Sequence, residues 1–249
     1  MSGHSRWAGI KHKKAIVDSK RGKVFTKLGK EITVAARQGG GNPDNNARLR
    51  KAIEIAREAN MPQDNVKKAI QRGTGEIPGV IYEEIRYEGY GPGGAAVLVD
   101  VSTDKKNRTA PEIRKIFTDH GGTLGEAGAV GWMFSAKGIF TIEKSKVSED
   151  TLMTLALDAG AEDIKSGDDE YYEVFTAPAN FEAVKEALQK NNVEILDGQV
   201  TLISQTTVPL TGKAAEDMLK LVEALEDHDD VNKVFSNFDV PKEMLAARS

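Results

Sequence analysis

The sequence predicts an α+β multidomain protein, with an N-terminal all-helical basic domain followed by two α/β domains. Helical spacing of apolar residues dominates the first 75 residues, whereas strand-like runs alternate with helices after a glycine-containing linker at 73–79. Lysine and arginine are concentrated before that linker. With 249 residues, 39% of them hydrophobic and 29% charged, the chain fits several small cores better than one large core.

Charge divides the chain at the same place. From Met1 to Gly75 there are 17 Lys/Arg and 6 Asp/Glu, and from Glu76 to Ser249 there are 17 and 32. The net charges, +11 and −15, together give the chain's −4. A basic part joined to an acidic part predicts a polyanionic partner for the basic part.

Composition also excludes several classes of protein. With no cysteine, the chain cannot form disulfides, iron–sulfur clusters, thiolate zinc sites or a cysteine nucleophile, and this suits a reducing compartment. No stretch approaches the roughly 20 apolar residues of a membrane span. The basic N-terminus lacks the apolar segment of a secretory signal. We therefore expect a cytoplasmic protein without a membrane partner.

The basic domain is predicted to contain an arm and three helices. Residues 2–22 are polar and basic with several glycines, which indicates an arm. An amphipathic helix follows at 23–38 and a second at 45–59. Pro62 is expected to open a third helix and Gly73 to close it. Four lysines form a basic stripe at helical spacing: Lys20, Lys23, Lys27 and Lys30.

The remainder alternates between strands and helices. Strands at 82–88 and 95–101 flank a glycine-rich turn, and a helix follows at 107–120. The next elements are strand 138–143, helix 148–159, strands 162–164 and 171–176, helix 181–190 and an extended run at 193–208. Those six are in the β-α-β-β-α-β order of a ferredoxin-like unit. A helix at 213–227 and a strand at 231–238 complete the chain.

We expect three domains from this order. The basic helical domain with its arm occupies 1–76, and the ferredoxin-like domain occupies 131–205. The strands and helix before that insert cannot form a core alone, and neither can the helix and strand after it. Residues 80–130 and 206–249 are therefore predicted to form one discontinuous α+β domain around the insert.

The sequence contains no complete motif for phosphate binding or catalysis in the required structural context. Gly89, Gly91 and Gly94 match G-x-G-x-x-G, but strands are predicted on both sides, so a hairpin turn is the better interpretation. Thr211-Gly212-Lys213 resembles the end of a Walker A loop, yet alanine stands where the magnesium-binding hydroxyl belongs. No metal-binding or nucleophile motif occurs. We expect no enzyme activity, cofactor or metal.

Nucleic-acid binding is the function that the basic domain predicts. Its cations would follow a phosphate backbone, and Trp7 would stack on a base. The alternative is that Trp7 docks the arm on the protein while the lysines are merely solvated. The candidate contact residues are Arg6, Trp7, Lys11, His12, Lys13, Lys14, Lys20, Arg21, Lys23, Lys27, Lys30, Arg48, Arg50 and Lys51.

Two acidic features are open to more than one interpretation. The helix from Glu216 to Asp227 has an acidic face that is either solvated, a repulsive surface that confines nucleic acid to the basic end, or a site for a protein partner. Asp104 precedes a helix, where it either caps the helix or joins Asn107 and Arg108 in contacting RNA or protein.

Several segments resemble the YebC/PmpR family across essentially the whole chain. The resemblance is carried by Gly3-His4-Ser5-Arg6-Trp7, Lys11–Lys14, Phe25–Leu28, Lys30-Glu31-Ile32, Gly39–Pro43, Asn60-Met61-Pro62, Tyr87–Pro92, Thr103-Asp104 and Asn107-Arg108-Thr109. It implies a cytoplasmic three-domain protein and a DNA-binding transcriptional regulator. It also implies an alternative, since the family includes a mitochondrial translational activator associated with the ribosome.

The sequence thus predicts a nucleic-acid-binding regulator of gene expression. DNA is the expected target, and the alternative is a translation factor that inserts its arm into ribosomal RNA. A protein-interaction scaffold is a third interpretation. We expect a monomer, because no dimerisation heptad is present.

Overall fold

The computed structural model describes residues 18–168, 170–241 and 244, with side chains from Gly22 onward. These residues divide into two compact units. The first unit contains the described residues up to Ala129 together with Gly212–Val234, and the second contains Val130–Thr211 and the described residues from Phe235. This division is coarser than the predicted three domains, which stay a prediction.

Three helices begin the first unit: α1 (Asp18–Gly39), α2 (Ala47–Glu58) and α3 (Gln63–Thr74). Their shared core is built from aliphatic and small side chains, namely Ile32, Ala35, Ala36, Leu49, Ala52, Ala56, Met61, Val66 and Ala69. Buried Asn46 caps α2 by accepting from the Leu49 amide at 3.0 Å, and it donates to the Ala35 carbonyl at 2.8 Å. One buried side chain thus joins α1 to α2.

Two of the predicted helix boundaries were wrong. α1 begins at Asp18, so residues 18–22 are helical and not arm, because one glycine costs a helix only about 1 kcal/mol. α3 continues through Gly73 to Thr74 and is capped by Gly75, which has a φ of 82°. At Gly73 an added Cβ would lie 2.4 Å from the Thr33 carbonyl oxygen, so the glycine permits close contact with α1.

The rest of the first unit is a sheet with two helices. Its elements are β1 (Glu83–Tyr90), β2 (Ala96–Thr103), α4 (Lys106–Asp119), β3 (Thr123–Leu124), α7 (Gly212–Asp227) and β9 (Val231–Ser236), whose last two residues fall in the second unit. The strand order is β3-β1-β2-β9. β1 and β2 are antiparallel, from Glu83 opposite Thr103 to Tyr90 opposite Ala96. The G-x-G-x-x-G segment is therefore a hairpin connection, as predicted.

The second unit has the β-α-β-β-α-β order expected from the sequence. It contains β4 (Phe134–Glu143), α5 (Glu149–Asp158), β5 (Ala161–Lys165), β6 (Tyr171–Thr176), α6 (Phe181–Lys190) and β7 (Asp197–Ser204). The sheet order is β5-β6-β4-β7, with every neighbouring pair antiparallel. Phe140 stacks on Phe181 in the core between sheet and helices. Two short strands, β8 (Val208–Pro209) and β10 (Phe238–Asp239), pair in parallel.

The described residues thus form seven α-helices and predominantly antiparallel sheets, which confirms the α+β multidomain class. Among them, no helix is long and apolar enough to cross a membrane.

We predict that Gly73→Ala lowers the free energy of unfolding by about 2 kcal/mol, because the added methyl group must separate α3 from α1. Urea unfolding followed by circular dichroism measures the change. Gly22→Ala is the control, because its added Cβ meets nothing within 4 Å. It should raise stability by up to about 1 kcal/mol. Equal effects of the two substitutions would contradict the close-contact explanation.

Candidate nucleic-acid interface

The structure describes only part of the predicted interface. Arg6, Trp7, Lys11, His12, Lys13 and Lys14 lie outside the described residues, so their predicted role stays a prediction. Lys20 and Arg21 lie in the first turns of α1, where only the backbone is described.

Three lysines of the predicted stripe contact the C-terminal end of α7. Lys23 donates to the Asp227 carboxylate at 2.7 Å, and Lys27 donates to the Glu226 carbonyl. Lys30 donates to the Asp229 carbonyl at 3.1 Å and to the Asp230 carboxylate. A helix C-terminus carries unpaired carbonyls and the negative end of the helix dipole, so ammonium groups are favourable there. We call residues 226–230 the acidic end.

The innermost of these contacts is a buried ion pair. The side chains of Lys30 and Asp230 are only 10% and 4% exposed. Arg108 donates to the second carboxylate oxygen of Asp230 at 2.7 Å, and Thr109 donates to the same oxygen at 2.8 Å. Burial raises the pKa of Asp230, but the hydrogen bonds from Lys30, Arg108 and Thr109 lower it more, so the pKa lies well below its usual range.

Two further hydrogen-bonded links support Asp230. Because the ionised carboxylate only accepts, Thr109 donates to it, and Thr103 then donates to Thr109 at 2.7 Å. The Asp230 amide donates to Nδ1 of His228 at 3.1 Å, which leaves Nε2 to donate to Glu112 at 3.1 Å. The segment 103–109 thus positions Asp230.

Asp104 does not cap α4, so the first of its two interpretations was wrong. Lys105 occupies the N-cap position of α4 and no side chain caps the helix, while the Lys105 amide donates to Thr103 Oγ1 at 3.0 Å. Asp104 instead accepts from Arg108 at 3.1 Å. Asn107 is exposed.

Arg48 is bound within the chain, whereas its neighbours on α2 are exposed. Arg48 donates to Glu31 at 2.7 Å and to Glu84 at 2.6 Å, which links α2 to α1 and β1. The hydrogen bonds from Arg48 lower the pKa of Glu84 despite its partial burial. Arg50 donates to backbone carbonyls of Pro43 and Asp44, and Lys51 lies 3.8 Å from Glu54.

The outward faces of the helices carry five cations that the sequence analysis missed. They are exposed, and none makes an ion pair with a described side chain: Arg37, Arg57, Lys67, Lys68 and Arg72. On α2 and α3 they lie away from the buried residues Leu49, Ala52, Ala56, Val66 and Ala69. Helical spacing could have identified them, since each falls off the apolar stripe of its helix.

No group of three or more metal-ligating side chains occurs in the described part of the chain. The three N-terminal helices carry an array of exposed positive charges, and α1 also carries a stripe of lysines bound to an acidic helix end. Fold and charge together define an α+β protein whose N-terminal helices are basic.

Comparison with known families identifies that class more closely. Residues 5–76 match the family model "TACO1/YebC protein N-terminal domain", and residues 82–238 match "TACO1/YebC second and third domain". The chain therefore belongs to the TACO1/YebC family, which confirms the predicted resemblance.

Similar proteins span the whole chain. A protein of Dictyoglomus turgidum is 58% identical over 250 residues, covering 100% of both chains, and one of Endomicrobium trichonymphae is 57% identical over 244 residues, covering 98% of this chain and 97% of its own. Both are named "Probable transcriptional regulatory protein". A conserved hypothetical protein from Aquifex aeolicus, whose crystal structure is known, is 47% identical in sequence to this chain. The two structures match with a TM-score of 0.80 over 95% of this chain and 97% of that one.

We predict that Asp230→Asn lowers the free energy of unfolding by about 3 kcal/mol at pH 7, because Lys30 stays buried without its carboxylate. Since folding lowers the pKa of Asp230, the carboxylate stabilises the fold above its unfolded pKa of about 4. The stabilisation by the carboxylate is lost as the pH falls below about 4 toward the pKa of Asp230 in the folded state. The stability difference between wild type and variant should therefore narrow below about pH 4.

Urea unfolding at pH 7 and at several acidic values measures that difference. Asp119→Asn is the matched control, because Asp119 pairs with Lys115 on the exposed face of α4. It should change stability by less than about 0.5 kcal/mol. A constant difference between wild type and Asp230→Asn across the pH range would contradict the role assigned to the carboxylate.

Proposed function

We propose that this protein is a nucleic-acid-binding regulator of gene expression, and that it acts on DNA in transcription. The observation that carries the proposal is the array of exposed cations on the helical domain. Arg37, Arg57, Lys67, Lys68 and Arg72 make no ion pair with a described side chain. Phosphates are the ligands that such an array attracts, because each contact releases a counterion condensed on the nucleic acid.

The distribution of charge supports this proposal. The first 75 residues have a net charge of +11, and the rest of the chain has −15. A polyanion is therefore attracted to the helical domain and repelled by the remainder. Arg48 and Lys30 do not belong to the proposed contact surface, because their charges are satisfied within the chain.

The names of similar proteins support transcription as the process. Those of Dictyoglomus and Endomicrobium are called probable transcriptional regulatory proteins. We propose no catalytic activity, cofactor or metal for this chain, and we place its function in the cytoplasm, since a chain without cysteine suits a reducing compartment.

We also propose the finer architecture on which this function rests. The basic helical domain occupies 1–76, the discontinuous domain 80–130 with 206–249, and the ferredoxin-like insert 131–205. In support, the two matched family models separate between residues 76 and 82, and one of them covers a second and third domain.

We predict that the protein binds a 20-base-pair DNA duplex with an affinity that falls steeply between 50 and 200 mM salt. Replacing Lys11, Lys13 and Lys14 with alanine should weaken binding. It should also make the slope of log affinity against log salt less negative by about 3, because each phosphate contact contributes about −1 to that slope. Fluorescence anisotropy of a labelled duplex measures both quantities.

The matched control removes three lysines from the acidic part of the chain. Lys115, Lys190 and Lys213 are 73%, 76% and 86% exposed, and each pairs with a carboxylate on its own helix. Their replacement with alanine changes the net charge equally and should leave the slope unchanged. An affinity independent of salt would refute phosphate binding, and tighter, salt-dependent binding to ribosomal RNA than to the duplex would favour translation over transcription.

A second prediction concerns the surface that the structure describes. Replacing Arg57, Lys67 and Lys68 with alanine should weaken duplex binding and make the slope of log affinity against log salt less negative by up to about 3. The urea midpoint should not fall, because these side chains are exposed and alanine favours helix. If this variant binds like wild type while the Lys11, Lys13 and Lys14 variant does not, the contact surface lies on the N-terminal segment alone.

A further inference from the structure

We propose that the acidic end of α7 is an internal competitor of nucleic acid for Lys23 of α1. This inference rests on the proposed function and adds to it a way in which the chain regulates its affinity for nucleic acid. Lys23 exchanges between the acidic end and phosphate, while Lys30 stays in place and holds α1 against α7. The chain thereby sets its own affinity for nucleic acid through residues 226–230.

The acidic end presents oxygens much as a phosphate backbone does. Backbone carbonyls of Glu226, Asp227 and Asp229 accept from the three lysines, and the carboxylates of Asp227 and Asp230 add two negative charges. Both surfaces are rows of oxygens with a negative field. An ammonium group bound to one of them is not available to the other.

The lysine contacts differ in exposure along α1, from the exposed Lys23 to the buried Lys30, and this difference determines which lysine can exchange. The side chains of Lys23 and Asp227 are 46% and 58% exposed. Such an ion pair contributes little and is screened by salt. The hydrogen bond that Lys23 donates to Asp227 raises the pKa of Lys23, so the lysine is charged in this pair.

Lys30 differs because its partner is anchored. Asp230 is buried and is held in place by Arg108 and Thr109, so separating Lys30 from it would leave a buried ammonium group without its carboxylate. Opening is therefore confined to the exposed end of the stripe. That end is also the nearest in sequence to the basic residues before α1.

Competition for one group implies a reciprocal coupling. If Asp227 and phosphate compete for Lys23, removing the carboxylate strengthens nucleic-acid binding by the free energy of the internal pair. An exposed ion pair of this kind corresponds to an increase in affinity of about two- to fivefold. The gain should disappear at high salt, where the internal pair is already screened.

The test compares Asp227→Asn with Asp119→Asn in the full-length chain, with a fluorescein-labelled 20-base-pair DNA duplex at 50 mM salt. Both substitutions remove one carboxylate near the end of a helix, but the partner of Asp119 is Lys115 on α4. Asp227→Asn should bind the duplex about two- to fivefold more tightly than Asp119→Asn. Equal affinities of the two variants would overturn the competition.

A double-mutant cycle tests the same idea at Lys23. Lys23→Ala should weaken duplex binding more in the Asp227→Asn background than in wild type, because only there is the ammonium group released from the carboxylate. Equal losses in the two backgrounds would show that Asp227 does not restrain Lys23. Circular dichroism and the urea midpoint verify that each variant is folded, and the exposed pair leaves all of them stable enough for measurement.

These outcomes separate the two proposals. If wild type fails to bind the duplex in a salt-dependent manner, the proposed function fails and the competition fails with it. If wild type binds and loses affinity on replacement of Lys11, Lys13 and Lys14, while Asp227→Asn equals Asp119→Asn, only the competition fails.

Discussion

The ion pair between Lys30 and Asp230 is the interaction on which the arrangement of the first unit depends. It joins residues 200 positions apart, one from α1 and one from the loop that follows α7. Both groups are almost fully removed from water, so each requires the other. Arg108 and Thr109 satisfy the second oxygen of Asp230, so three distant segments of the chain meet at one carboxylate.

The cations of the N-terminal helices therefore fall into two groups, those neutralised within the chain and those that are not. Part of the positive charge in the helical domain is neutralised internally, where α1 meets the acidic end of α7. Arg48 is satisfied in the same manner between Glu31 and Glu84. Arg57, Lys67, Lys68 and Arg72 on the outward faces of α2 and α3 make no ion pair with a described side chain, and they supply positive field around these helices.

Apolar periodicity predicts an element correctly where a single period dominates, and it fails where the exception has a tertiary cause. The apolar spacing predicted the three helices α1 to α3, and the alternation of strands with helices predicted the longer strands, but the two-residue strands β3, β8 and β10 were not predicted as separate elements. The spacing could not show that Gly73 lies inside α3, because the reason is the approach of the Thr33 carbonyl from another helix. The glycines before residue 23 likewise predicted an arm as far as Gly22, although a helix tolerates a single exposed glycine.

The sequence by itself determined the α+β class, the order of the helices and longer strands, the family and the location of the positive charge, since each depends on local pattern or composition. Only the tertiary structure decided which cations remain available to a partner. Helical spacing places Lys23, Lys27 and Lys30 on one face, yet it contains no information about what that face meets. Their acceptors lie about 200 residues further along the chain, and folding alone brings them together.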